Sequence, residues 1–241
     1  SPPSYIDLFY GLDYNGLPLL GWPKTHFGVP YYPFSPHTFP AVNNIDNDLN
    51  VEIVFAPSGN GYGYIYEPNG NLQPGWPIYL QGNSRGTPPI IANIDGGSDN
   101  EIIFVRDNGQ SILTTYCLSG QTNSQIFIYK QDGTILPGWP VSLPCAASSS
   151  AVGDIDNNGD LEIVISLHYW SSNSQIYAFN HDGTVLQGWP RLVSGGLASP
   201  VLADMDQNDG GRLEIVTMAS TGEMYLLNDD GTTVSGWPRQ I

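Results

Sequence analysis

Short apolar runs alternate along the chain with acidic or glycine-rich breaks. No stretch of ten or more residues sustains the 3.6-residue apolar period of a helix. One order recurs four times. An apolar pair (Ala41-Val42, Ile90-Ile91, Ala151-Val152, Val201-Leu202) enters an acidic loop, and a second apolar run follows the loop's last glutamate (Ile53-Val54-Phe55, Ile102-Ile103-Phe104, Ile163-Val164-Ile165, Ile215-Val216-Thr217). A third segment alternates around an aromatic, as in Gln175-Ile176-Tyr177-Ala178-Phe179, the period-2 pattern of a strand with one buried face. An Asp-Gly or Asn-Gly pair then predicts a tight hairpin into a fourth strand that ends at Gly-Trp-Pro.

The string Asn/Asp-Gly, four residues, Gly-Trp-Pro occurs five times, with tryptophans at Trp22, Trp76, Trp139, Trp189 and Trp237; only Trp170 lies outside it. An aromatic stands six positions before the first glycine of each copy (Tyr10, Tyr64, Phe127, Tyr177, Tyr225), and one column shared by all copies is expected to be core. Four-stranded units at this period, rich in glycine and with one tryptophan each, predict an all-β chain, a β-propeller. The expected architecture is a single domain over 1–241 with four full four-stranded blades (39–77, 88–140, 149–190, 199–238) and an N-terminal half-blade hairpin (4–23). If that hairpin forms a small blade of its own, the propeller has five blades.

Composition narrows the function classes. Seven basic residues against 23 acidic ones leave a net charge of −16, a field that repels nucleic acid and anionic membrane surfaces. No apolar run approaches the 18 residues of a bilayer span, so no membrane insertion is expected. The chain begins at Ser1 without a secretory segment and is expected to be a processed mature protein or a fragment. Acidity, 28 glycines and 20 prolines, and only two lysines fit an extracellular chain, secreted or held at the cell surface.

The acidic loops carry the chemistry. Asp154-Ile155-Asp156-Asn157-Asn158-Gly159-Asp160-Leu161-Glu162 places oxygen side chains at alternate positions, a glycine at the sixth for a sharp turn and a carboxylate at the ninth, as a hard cation such as calcium requires. This loop, the Glu-Ile-Val that closes it and the Asp-Gly hairpin with Gly-Trp-Pro together resemble the FG-GAP/VCBS repeats of extracellular propellers, a group that includes integrin α-subunit propellers and some fungal lectins. The resemblance covers 39–238, with only the hairpin part present in 4–23. It implies calcium in the loop between the first two strands of a blade, two to four ions in all, held by side chains at positions 1, 3, 5 and 9 and the carbonyl at position 7. In the third unit these are Asp154, Asp156, Asn158, Glu162 and Asp160. The first unit offers Asn44, Asp46, Asp48, Asn50 and Glu52, with Leu49 at the glycine position. The fourth offers Asp204, Asp206 and Asn208, then two extra residues before Glu214. The second offers Asn93, Asp95, Asp99 and Glu101, with Gly97 supplying no side chain at position 5. Asx turns alone would explain one or two such residues per loop, but not alternate spacing in four loops.

Cys117 and Cys145 are expected to form a disulfide, because the context is oxidising and the count even; two buried free thiols are the other reading. The four histidines show no metal-ligand spacing, and no nucleophile elbow, phosphate loop or zinc signature occurs, so the chain is expected not to be an enzyme. Two segments interrupt the repeat, Lys24 to Pro40 and Arg106 to Ser124, and either could hold a sugar or protein contact or cap a propeller end. Loop-bearing halves number four and hairpin halves five, which leaves the N-terminal hairpin without a complementary half. It is expected either to stand as a fifth blade or to dock on a neighbouring subunit, a head-to-tail contact that builds a filament. The expected role is a structural or adhesion module whose partner is a second copy or a glycan or protein ligand; the alternative is a lectin-like, carbohydrate-binding propeller.

Overall fold

A computed structural model of the chain describes residues 6–27, 39–57, 61–81, 87–107, 124–168, 174–205, 207 and 210–241. All regular structure among them is strand, and no helix is long and apolar enough to cross a membrane. An N-terminal pair, β1 (Ile6–Phe9) and β2 (Lys24–Phe27), is followed by four antiparallel four-stranded sheets, each in simple sequential order. The first holds β3 (Ala41–Asn43), β4 (Glu52–Phe55), β5 (Tyr62–Tyr66) and β6 (Ile78–Tyr79). The second holds β7 (Ile90–Ala92), β8 (Glu101–Asp107), β9 (Ser124–Tyr129) and β10 (Val141–Leu143). The third holds β11 (Ala146–Gly153), β12 (Glu162–His168), β13 (Ser174–Phe179) and β14 (Arg191–Val193). The fourth holds β15 (Val201–Ala203), β16 (Glu214–Met218), β17 (Glu223–Leu227) and β18 (Arg239–Gln240).

The chain divides into two compact units, one of residues 1–92, 98–109 and 126–136, the other of 93–97, 110–125 and 137–241. The core of the first gathers Ile45, Val54, Ile65, Trp76, Ile102, Phe104 and Tyr129, beside a smaller cluster of Trp22, Phe55 and Tyr66 against which Phe9 packs. Phe9 stacks on Phe55 with ring centroids 4.4 Å apart, which ties the N-terminal pair to the first sheet. The second unit centres on Ile155, Val164, Ile176, Ala178, Trp189, Ile215 and Leu227. In both units the second strand of each sheet is mostly buried, as its apolar run requires, although Met218 at the end of β16 is exposed.

Three expectations are corrected. The fourth strand of each sheet begins after Gly-Trp-Pro rather than ending at it. Between hairpin turn and tryptophan there is only a single bridge (Tyr66 with Leu72, Tyr129 with Ile135, Phe179 with Val185, Leu227 with Thr233). The proline that ends the motif has no N–H for a ladder, so pairing resumes beyond it. For the same reason Lys24–Phe27, assigned from sequence to a connection, is the second strand of the N-terminal pair. The aromatic column six residues before the turn glycine is not a core column throughout. Phe127 is buried, but Tyr64, Tyr177 and Tyr225 are half-buried and Tyr10 is exposed. The buried column lies two residues on, at Tyr66, Tyr129, Phe179 and Leu227, and the first-column rings stack against it: Tyr64 on Tyr66 and Tyr177 on Phe179. The Tyr225 hydroxyl donates to Glu223 Oε2 at 3.2 Å.

Candidate metal centres in the acidic loops

Each acidic loop joins the first and second strands of its sheet, and its last glutamate opens the second strand. Glu52, Glu101, Glu162 and Glu214 are all buried. The carboxylate folds back onto its loop: Glu52 Oε2 accepts the Ile45 N–H at 2.7 Å, Glu162 Oε2 the Ile155 N–H at 2.9 Å and Glu214 Oε2 the Met205 N–H at 2.7 Å. The apolar residue at loop position 2 anchors the turn from below, for Ile45, Ile94 and Ile155 are buried. The fourth loop departs from this, since its Met205 is 54% exposed.

The oxygens gather above this anchor. One atom each of Asp154, Asp156 and Glu162 lies within 4.8 Å of the others, and so do those of Asp46, Asp48 and Glu52. Some are engaged in the loop's own turns. Asp154 accepts the amides of Asn158 and Gly159 at 3.0 and 2.9 Å, and Asn158 Oδ1 accepts that of Asp160 at 2.7 Å. In the first loop Asp48 accepts both the amide and the side-chain nitrogen of Asn50. In these two loops the second oxygen of the closing glutamate is not engaged: Glu52 Oε1 and Glu162 Oε1 are buried and have no hydrogen-bond partner, and neither has Asn44 Oδ1. A buried carboxylate oxygen left unpaired among other carboxylates costs several times what a made hydrogen bond contributes. Burial first, then repulsion from Asp156, Asp154 and Asp160, pushes the Glu162 carboxyl up to about 7. Glu52 is raised in the same way, by burial and then by Asp46, Glu67 and Asp48, against the lowering pull of the Ile45 amide. These two donor sets fit a hard divalent cation, which would neutralise the repulsion and use the orphan oxygens.

The structure places the other predicted ligands less fully. Asp206 and Asn208 lie outside the described residues, and Asp204 Oδ1 accepts the Gln207 amide at 2.8 Å. In the second loop Asn93 to Gly97 fall in one compact unit and Asp99 and Glu101 in the other. Within the former, Asn93 Nδ2 donates to the Gly97 carbonyl and Asp95 Oδ1 accepts the Gly97 amide. Cys145 is fully buried, and Cys117 lies outside the described residues, as does most of the segment from Arg106 to Ser124.

The glycine at loop position 6 is not what makes the turn general. The residue with positive φ in all four loops is the fourth, Asn47 (61°), Gly96 (70°), Asn157 (59°) and Gln207 (56°), so Leu49 at position 6 of the first loop is no obstacle. Two of these residues also reach outward. Asn47 Nδ2 donates to the Ser98 carbonyl at 2.6 Å and Asn157 Nδ2 to the Gly210 carbonyl at 3.0 Å, each in the loop of the next sheet. Main-chain bonds run the other way, from the Asn100 amide to the Ile45 carbonyl (2.9 Å) and from the Leu213 amide to the Ile155 carbonyl (3.2 Å).

A second set of inter-sheet contacts explains Gly-Trp-Pro. The indole N–H of each of four tryptophans donates to the second residue of the next hairpin turn: Trp22 to the Pro68 carbonyl (2.9 Å), Trp76 to Gln131 (2.7 Å), Trp139 to His181 (3.1 Å) and Trp189 to Asp229 (2.8 Å). The preceding glycine lies against the third turn residue. A Cβ on Gly21, Gly75, Gly138 or Gly188 would stand 1.9–2.3 Å from the carbonyl oxygen of Asn69, Asp132, Asp182 or Asp230. Tryptophan and glycine thus form a clasp that only this dipeptide can make. In three sheets the same turn residue also touches the acidic loop of its own sheet: Gln131 Nε2 donates to Asp99 (3.1 Å), His181 Nδ1 lies 3.5 Å from Asp160, and Asp229 pairs with Arg212 (2.8 Å). Sequence reasoning missed this residue, because its carbonyl does the work and its side chain differs in every copy.

No family model matches the chain, and no curated protein matches it. Solved structures do, at low identity, and β-propeller proteins are among them. BamB from Moraxella catarrhalis is 15% identical over 96% of this chain and 58% of its own, with a TM-score of 0.56. A europium-containing methanol dehydrogenase is 12% identical over 98% of this chain and 49% of its own, with a TM-score of 0.55. BBS1N, solved in complex with ARL6DN, is 12% identical over 86% of this chain and 54% of its own, with a TM-score of 0.52. The chain therefore spans about half the length of the structures it matches. The fold is a β-propeller, with the four sheets as its blades.

Proposed function

We propose that the chain is a non-catalytic, calcium-stabilised structural or adhesion module that works outside the cell, of the FG-GAP/VCBS kind. The observation that carries this reading is the unpaired, buried oxygen of Glu52 and of Glu162, each on a carboxyl that gathers with those of two aspartates of its loop. Calcium supplies two positive charges to such a loop. In the third blade Asp154, Asp156, Asn158 and Glu162 would hold it with the Asp160 carbonyl; in the first, Asn44, Asp46, Asp48 and Glu52 with that of Asn50. Glu162 and Glu52 would keep the loop closed through the amides of Ile155 and Ile45 while offering their free oxygen to the ion. The shifted carboxylates support an architectural role, because each has a local structural cause. Asp132, Asp182 and Asp230, for instance, are lowered by the Thr134, Thr184 and Thr232 groups of their own turns. Extracellular calcium at millimolar levels matches the affinity of such modules. The test is calorimetric titration of the chelated protein with calcium and with magnesium. Saturable calcium binding at one or more sites is expected, and no heat of binding up to millimolar calcium would defeat the reading.

A further inference from the structure

The first acidic loop has neighbours that the third lacks. With Ile53 opposite Tyr66, Ile163 opposite Phe179 and Ile215 opposite Leu227, the next positions outward set Glu52 against Glu67, Glu162 against Asn180 and Glu214 against Asn228. Asn180 and Asn228 are engaged in their own turns, each donating from Nδ2 to a threonine hydroxyl (Thr184 at 2.9 Å, Thr232 at 2.8 Å). Glu67 instead brings a second carboxyl to the closing glutamate, and like charges opposite each other on neighbouring strands destabilise. Burial, then the charges of Asp46 and Asp48, raise the Glu67 carboxyl above its ordinary range. The second difference lies three residues after the turn glycine. There the other copies carry Leu19, Leu136, Leu186 and Val234, and the first blade carries Gln73. Its backbone N–H bonds the Ile65 carbonyl as those of Leu136 and Leu186 bond Ile128 and Ala178, so the position is the same and only the side chain differs. Gln73 is 8% exposed, and its Nε2 donates to Asp46 Oδ2 at 3.4 Å. A buried amide at an apolar position is costly unless it serves a partner. Here it points at the carboxylate that gathers with Asp48 and Glu52, and Glu52 keeps a buried, unpaired Oε1.

We propose that the hairpin of the first blade completes that blade's cation site: Gln73 supplies an oxygen ligand from outside the loop, and Glu67 stands behind the ligands as a further carboxylate that raises the affinity. The inference rests on the reading of the acidic loops as calcium sites and assigns to one of them residues beyond the loop itself. Calcium takes about six to eight oxygens, more than one such loop provides. A glutamine amide can serve either charge, its NH₂ facing a carboxylate or, turned about the last side-chain torsion, its oxygen facing a cation. That turn exchanges two atoms and leaves the rest of the side chain in place, so the buried hairpin need not repack. Glu67 lies outside the group of carboxylates that gather within 4.8 Å, so it acts through its charge and not by ligation. The third blade has the same three loop carboxylates in Asp154, Asp156 and Glu162, but Leu186 and Asn180 at the two hairpin positions. It serves as an internal reference for what a loop does alone.

The test titrates calcium into the chelated full chain and follows the backbone amides of Ile45 and Ile155 by NMR, since each donates to the closing glutamate of one site. Gln73→Leu installs the residue of the second and third blades. It should raise the calcium midpoint at Ile45 by about tenfold or more, the usual effect of losing a supporting group at a metal, and leave the Ile155 midpoint in place. Glu67→Asn installs the residue of the third and fourth blades and should move the Ile45 midpoint the same way by a smaller factor. Gln73→Glu keeps an oxygen at that place and should hold the midpoint at or below the wild-type value. Equal weakening by Leu and Glu would show that Gln73 only packs, and would overturn the proposal. So would an Ile45 midpoint unmoved by Gln73→Leu, or one that moves together with that of Ile155. A wild type in which neither amide responds up to millimolar calcium would defeat the calcium reading and this proposal with it. A wild type that responds at both, beside variants that match it, would remove the hairpin's part alone.

Discussion

Replacing Glu162 by Gln should stabilise the ion-free protein, and calcium should take that advantage away as its site saturates. In the ion-free protein Glu162 is buried with one oxygen unpaired and its carboxyl is pushed up to about 7 from 4.5. A carboxylate whose folded pKa is raised contributes its full stability below the unfolded value and loses it as pH rises through the folded one. The penalty therefore develops between about pH 4.5 and 7 and reaches at most about 3 kcal/mol at pH 8. For a chain of this size each kcal/mol moves the melting temperature by about 2–4 °C. Gln keeps a carbonyl oxygen for the Ile155 amide and turns an NH₂ toward the Asp154 and Asp156 carboxylates, so it removes the charge without removing the loop's closure. In EDTA at pH 8 Glu162→Gln should melt several degrees above wild type, and at pH 5 most of that gap should vanish. In calcium the gap at pH 8 should narrow, by about 1.4 kcal/mol at ten times the dissociation constant, and the order reverses only near a thousand times, where binding adds about 4 kcal/mol to the wild type alone. Thermal melts of both proteins at pH 5 and 8, with EDTA and with calcium, read the four corners. A variant less stable than wild type in every corner, or one with an undiminished calcium response, would refute the reasoning.

Gly138→Ala should destabilise far more than Gly159→Ala. Both have φ near +90°, but the first Cβ would stand 1.9 Å from the Asp182 carbonyl and the second in open space, so the difference between two denaturation curves measures the clasp. Trp139→Phe keeps most of the buried ring but leaves the His181 carbonyl without its indole donor, and urea unfolding should show a loss of about 1–3 kcal/mol. Non-reducing peptide mapping should recover Cys117 joined to Cys145, and reduction should lower stability by about 3 kcal/mol. Chelation should speed hydrogen exchange at the amides of Ile45 and Ile155, which bond the closing glutamates, before it reaches the indole N–H groups of Trp22 and Trp189.

What could be read from the sequence was what side chains specify locally. The unit period, the alternation of β13, the Asx-Gly turns and the closing glutamate of each loop are all set by residue type at fixed spacing. The parts that escaped depend on main-chain atoms or on context. The left-handed residue of the loops is Asn, Gly, Asn and Gln in turn, and glutamine gives no warning of positive φ. The indole acceptors Pro68, Gln131, His181 and Asp229 share no side-chain chemistry, because the accepting group is a carbonyl that every residue carries. The tyrosines misassigned to the core share a column with Phe127, and residue type does not tell them from the buried column, which itself holds Tyr66 and Tyr129.

The ion sites and the clasps are not independent devices. Within each sheet the acidic loop and the hairpin turn emerge at the same end, since both join a strand to its neighbour in an antiparallel order that alternates direction. Gln131, His181 and Asp229 each present a carbonyl to the tryptophan of the preceding blade and a side chain to the acidic loop of their own. An ion that fixes the loop would therefore restrict the turn that receives the tryptophan, lowering the entropy lost when the clasp forms.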